Sequence, residues 1–91
     1  MTILNGYIDI HLPHVSSLKG RRAILNAIKE RLRKYNLSQL DISGEYPKEA
    51  TIAIIFLAPD SIKAQQQIEK IESQLESSFP EIEFEITYEM S

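Results

Sequence analysis

The apolar residues of this 91-residue chain switch between two periods, and the order of the switches leaves few folds open. Leu4, Ile8, Ile10 and Leu12 share one parity, while Tyr7, Asp9 and His11 take the other. That alternation predicts a half-buried strand, which Pro13 ends. Leu18, Leu25, Ile28, Leu32 and Tyr35 then recur at helical spacing, so a helix with one apolar stripe is expected from Ser17 to about Tyr35. Ser16 or Ser17 can cap it by accepting from a free N–H of the first turn, and Asn36 is a plausible stop. A second strand is expected over about Leu37 to Tyr46, with Leu40 and Ile42 inward, before a hairpin turn at Pro47-Lys48-Glu49. Thr51 to Ala58 is apolar on both parities, which predicts a central strand. Pro59-Asp60-Ser61 makes a turn and cap for a second helix, whose stripe is Ala64, Ile68, Ile71, Leu75 and Phe79 and whose end is Pro80. The last strand, Glu81 to Glu89, sets Ile82, Phe84, Ile86 and Tyr88 against Glu81, Glu83, Glu85 and Glu89.

The order is therefore βαββαβ. Right-handed crossovers place both helices on one face of a four-stranded antiparallel sheet, which is an α+β, ferredoxin-like sandwich with strand order 4-1-3-2. No linker or low-complexity tract interrupts residues 1–91, so a single domain is expected.

Charge is distributed unevenly along this frame. Between Lys19 and Lys34 there are seven Lys/Arg and one acid, Glu30, although the chain as a whole carries −3. From Asp60 to the end, Lys63 and Lys70 face eight acids. On a helical wheel Lys19, Arg22, Lys29 and Arg33 fall within about 80° along one edge of the apolar stripe. Arg21 falls on the stripe itself, so it either snorkels out of the first turn or pairs with a carboxylate such as Asp41 or a C-terminal glutamate. A solvated helix face is the plain reading of such a run. Two features favour binding: the clustered edge has no acid to lace it, and cations open the helix where its dipole disfavours them. Lys19, Arg21, Arg22, Lys29 and Arg33 are accordingly the candidate RNA-contacting residues, with Arg21 either joining the others on phosphate or bracing the helix start.

The open face of the sheet is expected to carry Tyr7, Asp9 and His11, then Thr51, Ala53, Ile55 and Leu57, and finally the glutamates of the last strand. An RNA-recognition motif would need aromatics and cations there, and a glutamate ladder repels phosphate instead. Ala53, Ile55 and Leu57 form an apolar patch that self-association or a partner would cover, so a homodimer is the alternative expectation.

Residues for catalysis are not arranged in any recognisable pattern. The chain has no cysteine, which excludes disulfides, thiolate metal sites and a cysteine nucleophile. Gly6, Gly20 and Gly44 are isolated, so no phosphate-cradling loop is formed. Asp9, His11 and His14 are the one close His/carboxylate grouping, and they read as surface residues rather than as metal ligands. No cofactor is expected. The longest apolar run, Ile52 to Ala58, is far too short to cross a bilayer, and the N-terminus lacks a secretory pattern, so a cytoplasmic protein is expected.

One stretch has a more specific signature. His11-Leu12-Pro13, then Ser17-Leu18-Lys19-Gly20-Arg21-Arg22, then Arg31-Leu32-Arg33 and Tyr35-Asn36-Leu37-Ser38 with Asp41-Ile42, resembles the YlxP-like family of small bacterial proteins, domain of unknown function 503. The resemblance is concentrated in residues 8 to 42, where Ser17 to Arg22 corresponds to the family's S-L-K-x-K-R block with Arg21 in place of its lysine. It implies a ferredoxin-like fold, no enzymatic activity and, from the ribosome-maturation genes that neighbour the family's own, a role in small-subunit assembly. Glu45-Tyr46-Pro47-Lys48-Glu49-Ala50 departs from the family pattern, being one residue shorter and lacking its tryptophan, so no role is carried over to that loop.

Overall fold

A computed structural model describes all residues, 1–91. The elements are β1 (Thr2–His11), α1 (Leu18–Leu32), β2 (Ser38–Asp41), β3 (Glu49–Ala58), α2 (Ser61–Ser78) and β4 (Glu83–Met90). The sheet order is β2-β3-β1-β4, the expected 4-1-3-2 order seen from the other edge, and every pairing is antiparallel. This is the ferredoxin-like sandwich, with α1 and α2 on one face.

The core follows from the parity of the two long central strands. Leu4, Ile8 and Ile10 of β1 and Ile52, Ile54 and Phe56 of β3 turn toward the helices and are buried. They meet Leu25, Ile28 and Leu32 of α1 and Ala64, Ile68, Ile71 and Leu75 of α2, in one cluster of 17 buried residues. Removing such side chains from water contributes about 1.5–3 kcal/mol each, which makes this layer the main source of stability. Both helices begin as expected. Ser17 Oγ accepts from the Gly20 N–H at 3.1 Å, and Asp60 Oδ1 accepts from the Lys63 N–H at 2.8 Å.

Several boundaries differ from the sequence expectation. Helix α1 stops at Leu32 rather than Tyr35, and no non-glycine residue takes a positive φ, so Asn36 is not a left-handed stop. Tyr35 instead tucks against the core and hydrogen-bonds Gln74 of α2 through its hydroxyl. Leu18 is exposed, and Val15, from the loop before the helix, is buried instead. Strand β3 begins two residues early, at Glu49, while β4 begins at Glu83, leaving Glu81 outside the ladder.

The largest correction concerns β2. Only Ser38–Asp41 form the strand, and Leu40 and Ile42 are exposed rather than inward. The helix-facing positions are Gln39 and Asp41, because they meet the polar edge of α1: Gln39 Nε2 donates to the Lys29 carbonyl at 3.1 Å, and Lys29 reaches Asp41 at 3.0 Å. An apolar side chain there would remove both of these contacts between β2 and the helix. Leu40 therefore falls on the open face, in register with Ala53 and, through it, Tyr7.

Candidate nucleic-acid interface

The spacing of Lys19, Arg22, Asn26, Lys29 and Arg33 advances by alternating steps of three and four, so these side chains run as one row down α1. The row borders β2. Leu18, Arg21, Arg22, Leu25, Asn26, Lys29 and Asp41 line a shallow groove of about 320 Å³ between the helix and that edge strand. Arg31 and Lys34 are exposed beyond the row.

The candidate cations differ in how freely they can act. Lys19 and Arg22 are exposed and have no carboxylate within ion-pair distance. Lys29 is paired with Asp41 at 3.0 Å, and Arg33 with Glu30 at 2.8 Å, so the expectation of an edge free of salt-bridge lacing is corrected at these two positions. Both pairs lie in contact with solvent, where such bridges are worth about 0–1 kcal/mol, and a phosphate can displace the carboxylate.

Arg21 does not pair with Asp41 or a C-terminal glutamate; it reaches backbone acceptors instead. Its Nη1 donates to the carbonyl oxygens of Tyr46 and Glu49, both at 2.9 Å, and no carboxylate is involved. The guanidinium thus closes the loop between β2 and β3 onto α1. Lys48 makes the reciprocal connection, its Nζ donating to the carbonyls of Pro13 and Val15 at 2.8 and 3.0 Å. The Leu12 N–H also donates to the Lys48 carbonyl, at 2.8 Å. Charge-assisted bonds to backbone acceptors of this kind fix loop geometry, so Arg21 braces the start of the helix. Nothing in the sequence singles out Lys48 for this role. Its partners are backbone carbonyls, which every residue carries, so no pattern of side chains announces the contact.

Asp41 anchors the groove at β2. Burial pushes its carboxyl upward, but hydrogen bonds from Ser43 and the nearby Lys29 ammonium outweigh it, leaving the value below that of an ordinary aspartate. The Ser43 N–H donates to Oδ1 at 2.9 Å. A lowered native value stabilises the fold at pH above the ordinary aspartate range, about 3.9, and the contribution fades as pH falls through the native value. Asp41→Asn is therefore expected to cost a few tenths to about 1 kcal/mol at neutral pH. In urea unfolding the gap to wild type should close at strongly acid pH; a gap of equal size at both would reject the coupling.

On the opposite side of the molecule, β4 presents Glu83, Glu85, Thr87 and Glu89 to solvent beside Asp9 of β1. Thr87 occupies the place in the ladder that Glu81, lying outside the strand, does not. Ala53 is half-buried there, and Ile55 and Leu57 are exposed, so the three residues expected at an oligomer interface share the open face. Asp9 Oδ1 accepts from the Thr51 hydroxyl at 2.9 Å, and no three His, Asp or Glu side chains are grouped to hold a metal ion. No helix is long and apolar enough to cross a membrane.

Comparison with known proteins agrees with this architecture. The de novo designed protein Foldit4 matches over 97% of this chain and 94% of its own, with TM-score 0.52 and 16% identity. A dimeric ferredoxin-like protein from an uncultured marine organism matches over 100% and 93%, with TM-score 0.49 and 14% identity. At such identities the first likeness speaks to fold alone. No curated protein matches the chain. The family model for DUF503, described as a protein of unknown function, matches residues 3–88, spanning every element from β1 to β4. The chain belongs to the DUF503 family.

Proposed function

We propose that this protein is a non-enzymatic, cytoplasmic factor that docks on structured RNA through the basic edge of α1. The small ribosomal subunit is the target that its family resemblance implies. The observation that carries the reading is the row of Lys19, Arg22, Lys29 and Arg33, interrupted only by Asn26, on a helix edge turned away from the β4 glutamates. Lys19 and Arg22 would take phosphates directly, and Lys29 and Arg33 would exchange their carboxylates for them. Asn26 adds a neutral hydrogen-bonding group to the row, and Arg21 holds the helix start in place. Interactions of this kind give affinity and register rather than sequence readout, and they weaken steeply with salt.

The test uses purified small ribosomal subunits. Lys19→Glu with Arg22→Glu, which breaks no ion pair within the fold, is expected to weaken co-sedimentation by about tenfold or more at low salt. The salt slope should fall by about one for each phosphate that the variant no longer neutralises. Adding Lys29→Glu and Arg33→Glu is expected to abolish binding. A quadruple variant that keeps its circular dichroism and still sediments with the subunit as wild type does would reject the basic-edge model.

A further inference from the structure

We propose that the open face of the sheet, on the side opposite the basic row, receives a cationic amphipathic helix from a partner protein. The face has two unlike halves. One is apolar: Leu40 of β2, Ala53, Ile55 and Leu57 of β3, and Tyr7 of β1, with Leu40, Leu57 and Tyr7 between 52% and 66% exposed. The other is acidic: Asp9 of β1 with Glu83, Glu85 and Glu89 of β4. No lysine or arginine lies on this face to offset those carboxylates, since neither β1, β2, β3 nor β4 contains one. The surface therefore asks for apolar cover along one side and positive charge along the other.

Dimensions favour a helix. From β2 to β1 is two strand spacings, about 10 Å, which is the width of one α-helix lying along the strands. The β4 row lies one further spacing away, about 5 Å, within reach of a lysine side chain. Same-face positions on β4 repeat every two residues, about 6.8 Å, and lysines four residues apart on a helix repeat every 6 Å or so. A second copy of this chain fits less well, because sheet-on-sheet contact adds a second set of uncompensated carboxylates to the first. RNA fits worse, since its phosphates would meet the β4 row.

A short synthetic leucine–lysine amphipathic helix, titrated into the isotope-labelled protein, tests this. Amide shifts are expected in β1, β3 and β4 and not along α1, with affinity falling as salt rises. A leucine–glutamate helix of the same pattern is expected not to bind. Leu57→Asp should weaken the interaction by about tenfold or more. Replacing Glu83, Glu85 and Glu89 by Gln, at exposed positions that leave the core untouched, should weaken it and flatten its salt dependence. Shifts confined to α1 and α2, or none, would overturn the proposal. So would a wild-type dimer in light scattering that Leu57→Asp makes monomeric, which assigns the face to a second copy. An RNA oligonucleotide that shifts the same strands would overturn it too.

Discussion

Ile8→Ala is expected to lower the unfolding free energy by about 2–5 kcal/mol, far more than any truncation at the surface. Ile8 is fully buried at the middle of β1, one of the two strands with neighbours on both sides. It stands in register with Ile52 of β3 and Ile86 of β4, beneath the helices. The cost of such a truncation depends on whether the surroundings can collapse into the space left behind. Here they cannot easily do so, because two hydrogen-bonded ladders hold the flanking backbones at a fixed spacing. In a domain of this size each kcal/mol corresponds to about 4–8 °C in Tm, so thermal and urea unfolding both resolve the effect. The control is Ile55→Ala, the same kind of truncation on the open face, where the side chain is 43% exposed. Its cost should stay within about 0.5–1 kcal/mol. If the two variants lost similar stability, the assignment of β-strand faces would be wrong.

That contrast between faces also marks what can be read from the residues alone. In β1 and β3 the helix-facing side chains belong to the buried apolar cluster, so hydrophobicity and orientation coincide. The alternation around Ile8 therefore fixes which face of β1 is buried, and the wholly apolar run around Ile54 places β3 in the centre of the sheet. In β2 the two signals separate. Its inward neighbours are the Lys29 ammonium and carbonyl, so Asp41 and Gln39 point in and Leu40 points out. A rule that sends leucine inward fails at an edge strand that packs on a polar helix flank.

The candidate site divides in the same way. The row of cations is legible because helical geometry alone puts Lys19, Arg22, Lys29 and Arg33 on one edge. The Glu30–Arg33 pair, a contact three residues apart on one helix, runs against the expectation of an edge with no acid to lace it. The Lys29–Asp41 pair is not legible, since it depends on which strand neighbours α1 and on that strand's parity. Arg21 is hardest of all. An arginine on an apolar stripe suggests a carboxylate, whereas its acceptors are the Tyr46 and Glu49 carbonyls. Backbone acceptors become specific only once the chain is folded.

Gly6→Val is expected to destabilise the protein by about 1–3 kcal/mol, even though valine is among the best strand formers and glycine among the worst. Gly6 lies on the helix-facing side of β1, in register with Ile54 and Tyr88. A Cβ added there would sit 3.2 Å from the Thr87 carbonyl oxygen, and 3.4 Å from both Ile54 Cγ1 and Tyr88 Cβ. Two effects oppose each other. Any side chain at this position restricts the unfolded chain, which favours folding by about 0.4–1 kcal/mol. Against that, the tightest contact is with a backbone atom, which can yield only if β4 shifts relative to β1. Alanine asks for a displacement of a few tenths of an ångström, so the two effects nearly cancel and Gly6→Ala should lie close to wild type. Valine adds two methyl groups directed among the same neighbours, and overpacking then exceeds the entropic and propensity gains. The expected order of stability is therefore glycine, about equal to alanine, above valine. Intrinsic strand propensity alone demands the reverse order. Thermal unfolding of the two variants decides between close packing and propensity, and a valine variant more stable than wild type would show that β4 is free to move away from β1.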